Sequence, residues 1–363
     1  GRIGGVNMSR RRQKQQSGWV MVFLFIMLFL AAAYVLFNRQ GEAAPPAEGG
    51  SLQVHFIDVG QADAALVICD GHYMLIDGGN AEDSDLVYSY LERHGAKNLD
   101  YMVASHAHED HIGGLSGALN YAKVDTALCP VTEYSSKVFQ NMVKYLEQQG
   151  KSLTVPAPGD KFDLGSARVE ILGPVQEYDD TNNTSIVLRI VYGETSFLFT
   201  GDMETGAEKD LLESGADVRA TVLKAGHHGS DTSTGYQFLR EVSPRYTVIS
   251  VGEGNKYGHP SDEVLSRFRD AGTEVYRTDM QGHVIAESDG KTVTFRTEKE
   301  ADTATNPTGN STLQMYVGNS GSKKFHLSDC ASAKNIQEDK KVVFLTRLQA
   351  VLEGYEPCGR CNP

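Results

Sequence analysis

The sequence predicts a mixed α/β protein of the α+β kind: two packed sheets covered by helices on their outer faces, an αββα sandwich. Three observations point there. Short apolar runs bounded by Gly and Asp recur in both halves of residues 52–297, and runs of helical spacing are inserted between them. Breaks in composition separate this region from an apolar N-terminal segment and from a small cysteine-bearing C-terminal one. Periodicity alone does not choose this sandwich over another layered α/β architecture.

In chain order, residues 1–18 form a basic segment carrying Arg10, Arg11, Arg12 and Lys14. The apolar run from Trp19 to Phe37 follows without a polar residue, close to the roughly 20 residues a helix needs to cross a bilayer. The basic flank before it predicts an N-terminus on the cytoplasmic side and an extracytoplasmic remainder, held at the cell membrane by this single pass. A cleaved signal peptide is the rival, since Ala31-Ala32-Ala33 and Ala43-Ala44 offer small-residue sites, but such apolar regions span only about 7–15 residues. Residues 38–51 read as a linker, 52–297 as one large domain, 298–312 as a second linker and 313–363 as a small domain.

Within the large domain, strands are expected at Leu52 to Val59, Ala64 to Cys69, Tyr73 to Asp77, Leu99 to Ala104, Ala167 to Leu172, Ser185 to Tyr192, Ser196 to Thr200, Ala220 to Lys224 and Tyr246 to Val251. Helical spacing occurs over Leu86 to Gly95, Ser135 to Gly150 and Tyr236 to Val242. Of the five cysteines, Cys69 and Cys129 sit in apolar surroundings and read as packed thiols.

The chemistry is carried by His106-Ala107-His108-Glu109-Asp110-His111. Two histidines one residue apart in extended chain project to the same side and can chelate one cation, His106 with His108. Asp110 and His111 follow directly, before Gly113-Gly114, and can serve a second cation. A bridging carboxylate is then needed, and Asp202 after the strand ending in Thr200-Gly201 is the natural one. His227 and His228 follow another strand. A lone Asp or His in such a place is more often a turn residue or a hydrogen-bonded surface group; beside a specific metal motif both gain functional weight.

The order Asp77-Gly78-Gly79, HAHEDH, Gly201-Asp202, His227-His228 resembles the metallo-β-lactamase superfamily across the whole large domain. Phe56 to Asp63 (FIDVGQAD), Asn182-Asn183-Thr184-Ser185, Lys224 to Ser230 (KAGHHGS) and Tyr257-Gly258-His259-Pro260-Ser261 are similar to the extracytoplasmic nuclease-like domain of ComEC-type competence DNA-uptake proteins. The resemblance implies the αββα fold, two divalent metal ions (Zn²⁺, with Mn²⁺ as the alternative), ligands at His106, His108, Asp110, His111, Asp202 and His227, and hydrolysis of phosphodiesters. Two departures stand out. Asn182-Asn183 occupies the place where many superfamily members have a third-motif His, so the first ion has only His106, His108 and the shared Asp202. ComEC-type proteins also carry a multi-helix channel, whereas this sequence shows one apolar run and is not expected to conduct DNA itself.

A bridged pair of cations supplies hydroxide at neutral pH and stabilises charge developing on a phosphoryl or acyl oxygen. Asp110 is expected to orient the attacking group, His228 and His259 to act on the leaving oxygen, and Asp77 to orient a ligand histidine from behind. For His228 and His259 a packed or capping role is the alternative.

In the small domain, His326, Cys330, Cys358 and Cys361 form two pairs that supply the four soft ligands of a structural zinc. The flanking residues resemble the Ada-type metal-binding module, with His326 where that family has Cys. A disulfide is the rival, but three cysteines leave one thiol over. Lys323, Lys324, Lys340, Lys341 and Arg347 give this domain local basic charge, compatible with nucleic-acid contact or a solvated face.

The formal net charge of −13 excludes a globally basic nucleic-acid-binding surface, so any polyanion must be met locally. No nucleotide cofactor is expected. The leading reading is a membrane-anchored nuclease or phosphodiesterase acting on DNA. The alternatives are a cell-surface esterase or β-lactam hydrolase of the same fold, and a non-catalytic DNA-binding or assembly protein.

Overall fold

A computed structural model describes residues 50–301, 315–328, 330–345 and 347–361. The expected transmembrane helix and the basic segment before it lie outside the described residues, as does most of each linker. Among the described residues no helix is long and apolar enough to cross a membrane.

The strands are β1 (Leu52–Phe56), β2 (Ala64–Cys69), β3 (His72–Gly78), β4 (Asn98–Val103), β5 (Lys123–Leu128), β6 (Leu153–Thr154), β7 (Lys161–Leu164), β8 (Ala167–Gly173), β9 (Val187–Tyr192), β10 (Thr195–Phe199), β11 (Val222–Lys224), β12 (Tyr246–Ile249), β13 (Glu274–Arg277), β14 (Val284–Ser288) and β15 (Val293–Thr297). One sheet has the order β15-β14-β1-β2-β3-β4-β5-β6 and the other β13-β12-β11-β10-β9-β8-β7. Their inner faces meet in a core that includes Phe56, Val67 and Met74 from the first sheet and Ile190, Phe197 and Val222 from the second. Phe56 and Phe199 stack across the interface with ring centroids 5.8 Å apart. Each such fully buried side chain stabilises the fold by about 1.5–3 kcal/mol.

Helices α1 (Ser84–Arg93), α2 (Glu109–Ile112), α3 (Leu115–Tyr121) and α4 (Lys137–Gln148) lie on the first sheet's side, with α1, α3 and α4 burying Leu91, Ala118 and Met142 in its outer core. Helices α5 (Thr205–Glu213), α6 (Tyr236–Val242) and α7 (Asp262–Ala271) cover the second sheet with Leu211, Leu239 and Phe268. The layers therefore follow the expected αββα order. Ser136 starts α4 by accepting a hydrogen bond from Phe139 N, and Ser261 of the YGHPS segment does the same for α7 through Val264 N.

Strands β3 to β6 run parallel, as do β10 to β13. Parallel strands joined by helical crossovers open their carboxyl ends onto one edge, where side chains from several strands converge. Asp77 ends β3, His106 follows β4, Asp202 follows β10, His227 and His228 follow β11, and Ser250 follows β12. Glycine lets α3 approach that edge: an added Cβ on Gly114 would overlap the carbonyl oxygen of Gly78.

The C-terminal residues form a separate sheet of β16 (Tyr316–Asn319), β17 (Lys324–Leu327), β18 (Lys341–Phe344) and β19 (Glu356–Pro357), in the order β18-β16-β17-β19. Phe325, Phe344 and Tyr355 of this module pack with Tyr236 of α6. Arg347 donates to Asp270 of α7 at 2.7 Å and to the Tyr236 hydroxyl at 3.0 Å, and that hydroxyl donates to Asp270 at 2.7 Å.

Candidate metal centre

His106 and His108 do not continue a strand; β4 ends at Val103, and His108 precedes the first turn of α2. They still converge, with His106 Nε2 3.1 Å from His108 Nδ1. Asp202 stands between the imidazoles. Its Oδ1 is 3.2 Å from His111 Nε2, and its Oδ2 is 3.6 Å from His227 Nε2, 3.7 Å from His228 Nε2 and 3.9 Å from His106 Nε2. A carboxylate with imidazoles around both of its oxygens is one that cations held by those imidazoles could share. Ser185 holds it, its hydroxyl accepting from Asp202 N at 3.0 Å and donating to Asn182 O at 2.6 Å.

The ring nitrogens facing away from the centre are occupied by the protein. His111 Nδ1 donates to Asp77 Oδ2 at 2.8 Å, and His106 Nδ1 to the hydroxyl of Ser105 at 3.1 Å. That hydroxyl donates in turn to Asp77 at 2.7 Å. His228 Nδ1 donates to Ser250 O at 3.1 Å and lies 3.2 Å from Asp63 Oδ1. With Nδ1 spoken for, the neutral tautomer turns a lone pair at Nε2 inward, as metal-ligating histidines require.

The inward atoms lack hydrogen-bond partners although they are buried: His111 Nε2, His228 Nε2, Asp202 Oδ1 and Asn182 Oδ1. Orphaned buried polar atoms are costly, and several converging on one spot fit a cation. Asp110, His111, Asp202 and His228 each place a ligand atom within 4.8 Å of the others. Without a cation the site stores its positive charge as protons. Burial would lower His228, yet Asp202 and Asp63 raise it to about 10. His111 is likewise raised well above the ordinary histidine value, Asp202 and Asp77 outweighing burial. His106 is lowered by burial and by the neighbouring His111.

The sequence leaves open which of the paired histidines is the ligand, and the structure sets the two in different surroundings. His227 was expected as the ligand and His228 as the proton donor, both at a strand end. The backbone instead forms a tight turn in which both have positive φ, 49° and 52°. This buries His228 within the four-donor group, while His227, half-buried like the cleft-lining His108, keeps its Nε2 3.6 Å from Asp202 Oδ2 and its Nδ1 3.7 Å from Glu204. His259 lines the same cleft but is not in that group; its ring centroid is 5.9 Å from that of His227.

Two contributors, Asp63 and Lys224, were not singled out by the sequence reading. Asp63 is buried, and Lys224, itself buried, donates to its Oδ2 at 2.7 Å. Burial would raise Asp63, but Lys224 and His228 hold it well below the usual carboxylate range. Asn182, in the place of the third-motif His, lines the cleft and has a buried amide oxygen without a hydrogen-bond partner. The signal for Asp63 and Lys224 lay in the FIDVGQAD and KAGHHGS segments, each quoted whole. The cleft has a volume of about 340 Å³ and is lined also by Gln61, Glu109 and Tyr257.

In the C-terminal module His326, Cys330, Cys358 and Cys361 bring one ligand atom each within 4.8 Å of one another, with Cys330 Sγ 3.7 Å from His326 Nδ1. All five cysteines are free thiols, and Cys69 and Cys129 are buried. Desolvation would raise the Cys330 thiol, but hydrogen bonding with Cys361 and His326 brings it down to about 6, favouring the thiolate that binds metal.

A family model described as the metallo-beta-lactamase superfamily matches residues 57–253, more than half of this 363-residue chain. ComE operon protein 3 of Bacillus subtilis (strain 168) is 27% identical over 297 residues, which is 77% of this chain and 37% of that protein. Competence protein ComA of Neisseria gonorrhoeae is 32% identical over 259 residues, 70% of this chain and 34% of that protein. The chain thus spans little more than a third of the length of these relatives. Among solved structures, the metallo-beta-lactamase fold protein YhfI from Bacillus subtilis is similar, with a TM-score of 0.43 and 15% identity, covering 66% of this chain and 100% of that one.

Proposed function

This chain belongs to the metallo-beta-lactamase superfamily, and we propose that it is a two-metal phosphodiesterase, a nuclease acting on DNA and held outside the cell membrane by its N-terminal apolar segment. One relative is named a competence protein, which supports DNA as the substrate, and KAGHHGS with YGHPS favours phosphodiesters over β-lactams. The observation that carries the reading is the set of inward-facing, unpartnered ligand atoms around Asp202, backed by histidines whose outer nitrogens are already bonded.

His106, His108 and Asp202 would hold one cation, with Asn182 Oδ1 as a further oxygen donor that suits manganese. Asp110, His111, His228 and the shared Asp202 would hold the other. When bound, such a pair supplies a nucleophile at neutral pH and neutralises charge on a phosphoryl group. The chain's own residues do the rest. Asp77, Ser105, Asp63 and Ser250 fix the imidazole planes, so no reorganisation is needed as charge develops. His227 and His259, which line the cleft, would protonate a leaving oxygen. In the C-terminal module the His326, Cys330, Cys358 and Cys361 quartet would take one structural zinc.

The test is turnover of single-stranded DNA, bis-nitrophenyl phosphate, phosphocholine esters and a chromogenic cephalosporin with added Mn²⁺ or Zn²⁺. Cleavage of the first two alone, lost in Asp202→Ala and His108→Ala, is the expected result. Undiminished turnover in both variants refutes the two-metal account, and cleavage of the cephalosporin or choline ester alone refutes the substrate.

A further inference from the structure

We propose that Tyr257 is a stacking platform for a nucleobase, so that the cleft selects base-bearing, single-stranded polynucleotide among phosphodiesters. This rests on the phosphodiesterase reading above. Tyr257 is 59% exposed and lines the metal cleft. Leu86, Val155 and Met280 are the other exposed large apolar side chains of the two-sheet body among the described residues, and none of them lines it. Scattered exposed apolar groups are ordinary; an aromatic ring at the lip of a site whose other lining residues are polar is not.

The ring is presented by a braced loop. Asn255 Oδ1 accepts from both Tyr257 N and His259 N at 3.1 Å, while its Nδ2 donates to Gly252 O at 3.0 Å and to His259 O at 2.6 Å. Four hydrogen bonds from one side chain fix the loop before any ligand arrives, so little ordering entropy is left to lose on binding. The ring lies nearly parallel to His259, at 14° with centroids 5.8 Å apart, and the His259 ring stands 5.9 Å from that of His227. The Tyr257, His259 and His227 rings thus follow one another along the cleft, the last of them 3.6 Å from Asp202. Lys256 Nζ sits over the Tyr257 ring, 5.0 Å from its centroid, a mobile surface cation beside the platform that a bound strand's phosphate can draw off the ring face. The cleft residues nearer the centre, Glu109, Asp110 and Asp202, are acidic and offer a flanking phosphate nothing without metal.

Stacking is indifferent to base identity, since every base has a π-face, but it needs that face free, as it is in a single strand and not in a duplex. The test compares kcat/KM with Mn²⁺ for an oligothymidylate and for an abasic phosphodiester of the same length. Wild-type protein should prefer the base-bearing strand by about tenfold, the scale of one base–aromatic stack. Tyr257→Ala and Tyr257→Leu should bring the ratio close to one through KM, while Tyr257→Phe and Tyr257→Trp keep it; the leucine variant separates stacking from mere apolar bulk. The proposal is overturned if wild-type protein cleaves both strands equally, or if the alanine variant keeps the preference. Cleavage of neither strand overturns it together with the phosphodiesterase reading, an outcome distinct from cleavage of both without preference.

Discussion

Replacing Lys224 by Met keeps the aliphatic stem and removes only the charge, which makes it a clean probe of what holds the centre in shape. Lys224 is 3% exposed, and its ammonium lies 2.7 Å from Asp63 Oδ2 while donating to Ala225 O at 2.9 Å. In Lys224→Met the 5%-exposed carboxylate of Asp63 loses its ammonium partner and keeps only the imidazoles of His228, 3.2 Å away, and His111, within 4.8 Å. Breaking a buried pair from one side costs about 3–5 kcal/mol, because the remaining charge stays desolvated. In a domain of this size each kcal/mol lowers Tm by about 2–4 °C, so a fall of roughly 6–20 °C is expected in metal-free protein. The pH dependence has a definite sign. The folded-state pKa of Asp63 is depressed, so its contribution is complete above the unfolded value of about 3.9 and is lost as pH falls through the folded one. The cost of Lys224→Met should therefore shrink on acidification, as the stranded carboxylate protonates. Calorimetry on Lys224→Met, Asp63→Asn and the double variant completes a cycle in which the double is less destabilised than the sum of the singles. A single-variant loss below about 1 kcal/mol, or strict additivity, would refute the role assigned to the pair.

Other consequences concern protons, packing and the second metal site. Because His228 is raised to about 10 and His111 well above its ordinary value, binding Mn²⁺ or Zn²⁺ at pH 7 should expel close to two protons, read as a buffer-dependent heat in titration calorimetry; no buffer dependence would sink it. Buried Glu208, which accepts from Thr234 N and Gly235 N below the histidine turn, is raised by burial to about 7. The folded state then binds the extra proton, and stability falls as pH rises from about 4.5 to 7 by on the order of 3 kcal/mol. His55, lowered by burial to about 3, acts in the opposite sense over part of this range, so the difference between wild type and Glu208→Gln in urea unfolding isolates the effect; parallel curves would exclude it. Gly114→Ala drives a methyl into the Gly78 carbonyl and should cost about 1–3 kcal/mol in the same assay, with an unchanged midpoint as the contrary result. Cys358→Ser should lower zinc content by one equivalent and raise amide exchange over residues 316–357; full zinc content would remove the quartet from consideration.

Legibility in the sequence follows the distance over which each feature is determined. Strand Ala64–Cys69 and helix Tyr236–Val242 have the bounds their local pattern predicts, since apolar spacing and flanking Gly are short-range signals. Val284–Ser288 alternates buried and half-buried residues and was readable, yet it lies far from the motifs that drew attention. Helix Thr205–Glu213 is harder, because its apolar residues are few and its inner face is partly Glu208. The HAHEDH residues converge because they are neighbours in one turn. The paired histidines could not be told apart the same way: reading them as a strand end puts them on opposite faces without saying which faces the metals. Their true conformation, two successive non-glycine residues at positive φ, costs on the order of 1–3 kcal/mol each and persists only if the surroundings over-determine it. Those surroundings come from elsewhere in the chain. Arg267 of α7 donates to the carbonyls of Asp231, Ser233 and Thr234, Glu208 of α5 takes the amides of Thr234 and Gly235, and Thr234 Oγ1 accepts from Gly226 N. The Asp63–Lys224 pair joins the residue before β2 to the end of β11 across the two sheets in the same way. A motif names ligands that lie side by side, but which imidazole of His227 and His228 turns inward is set by packing between helices that no local pattern connects.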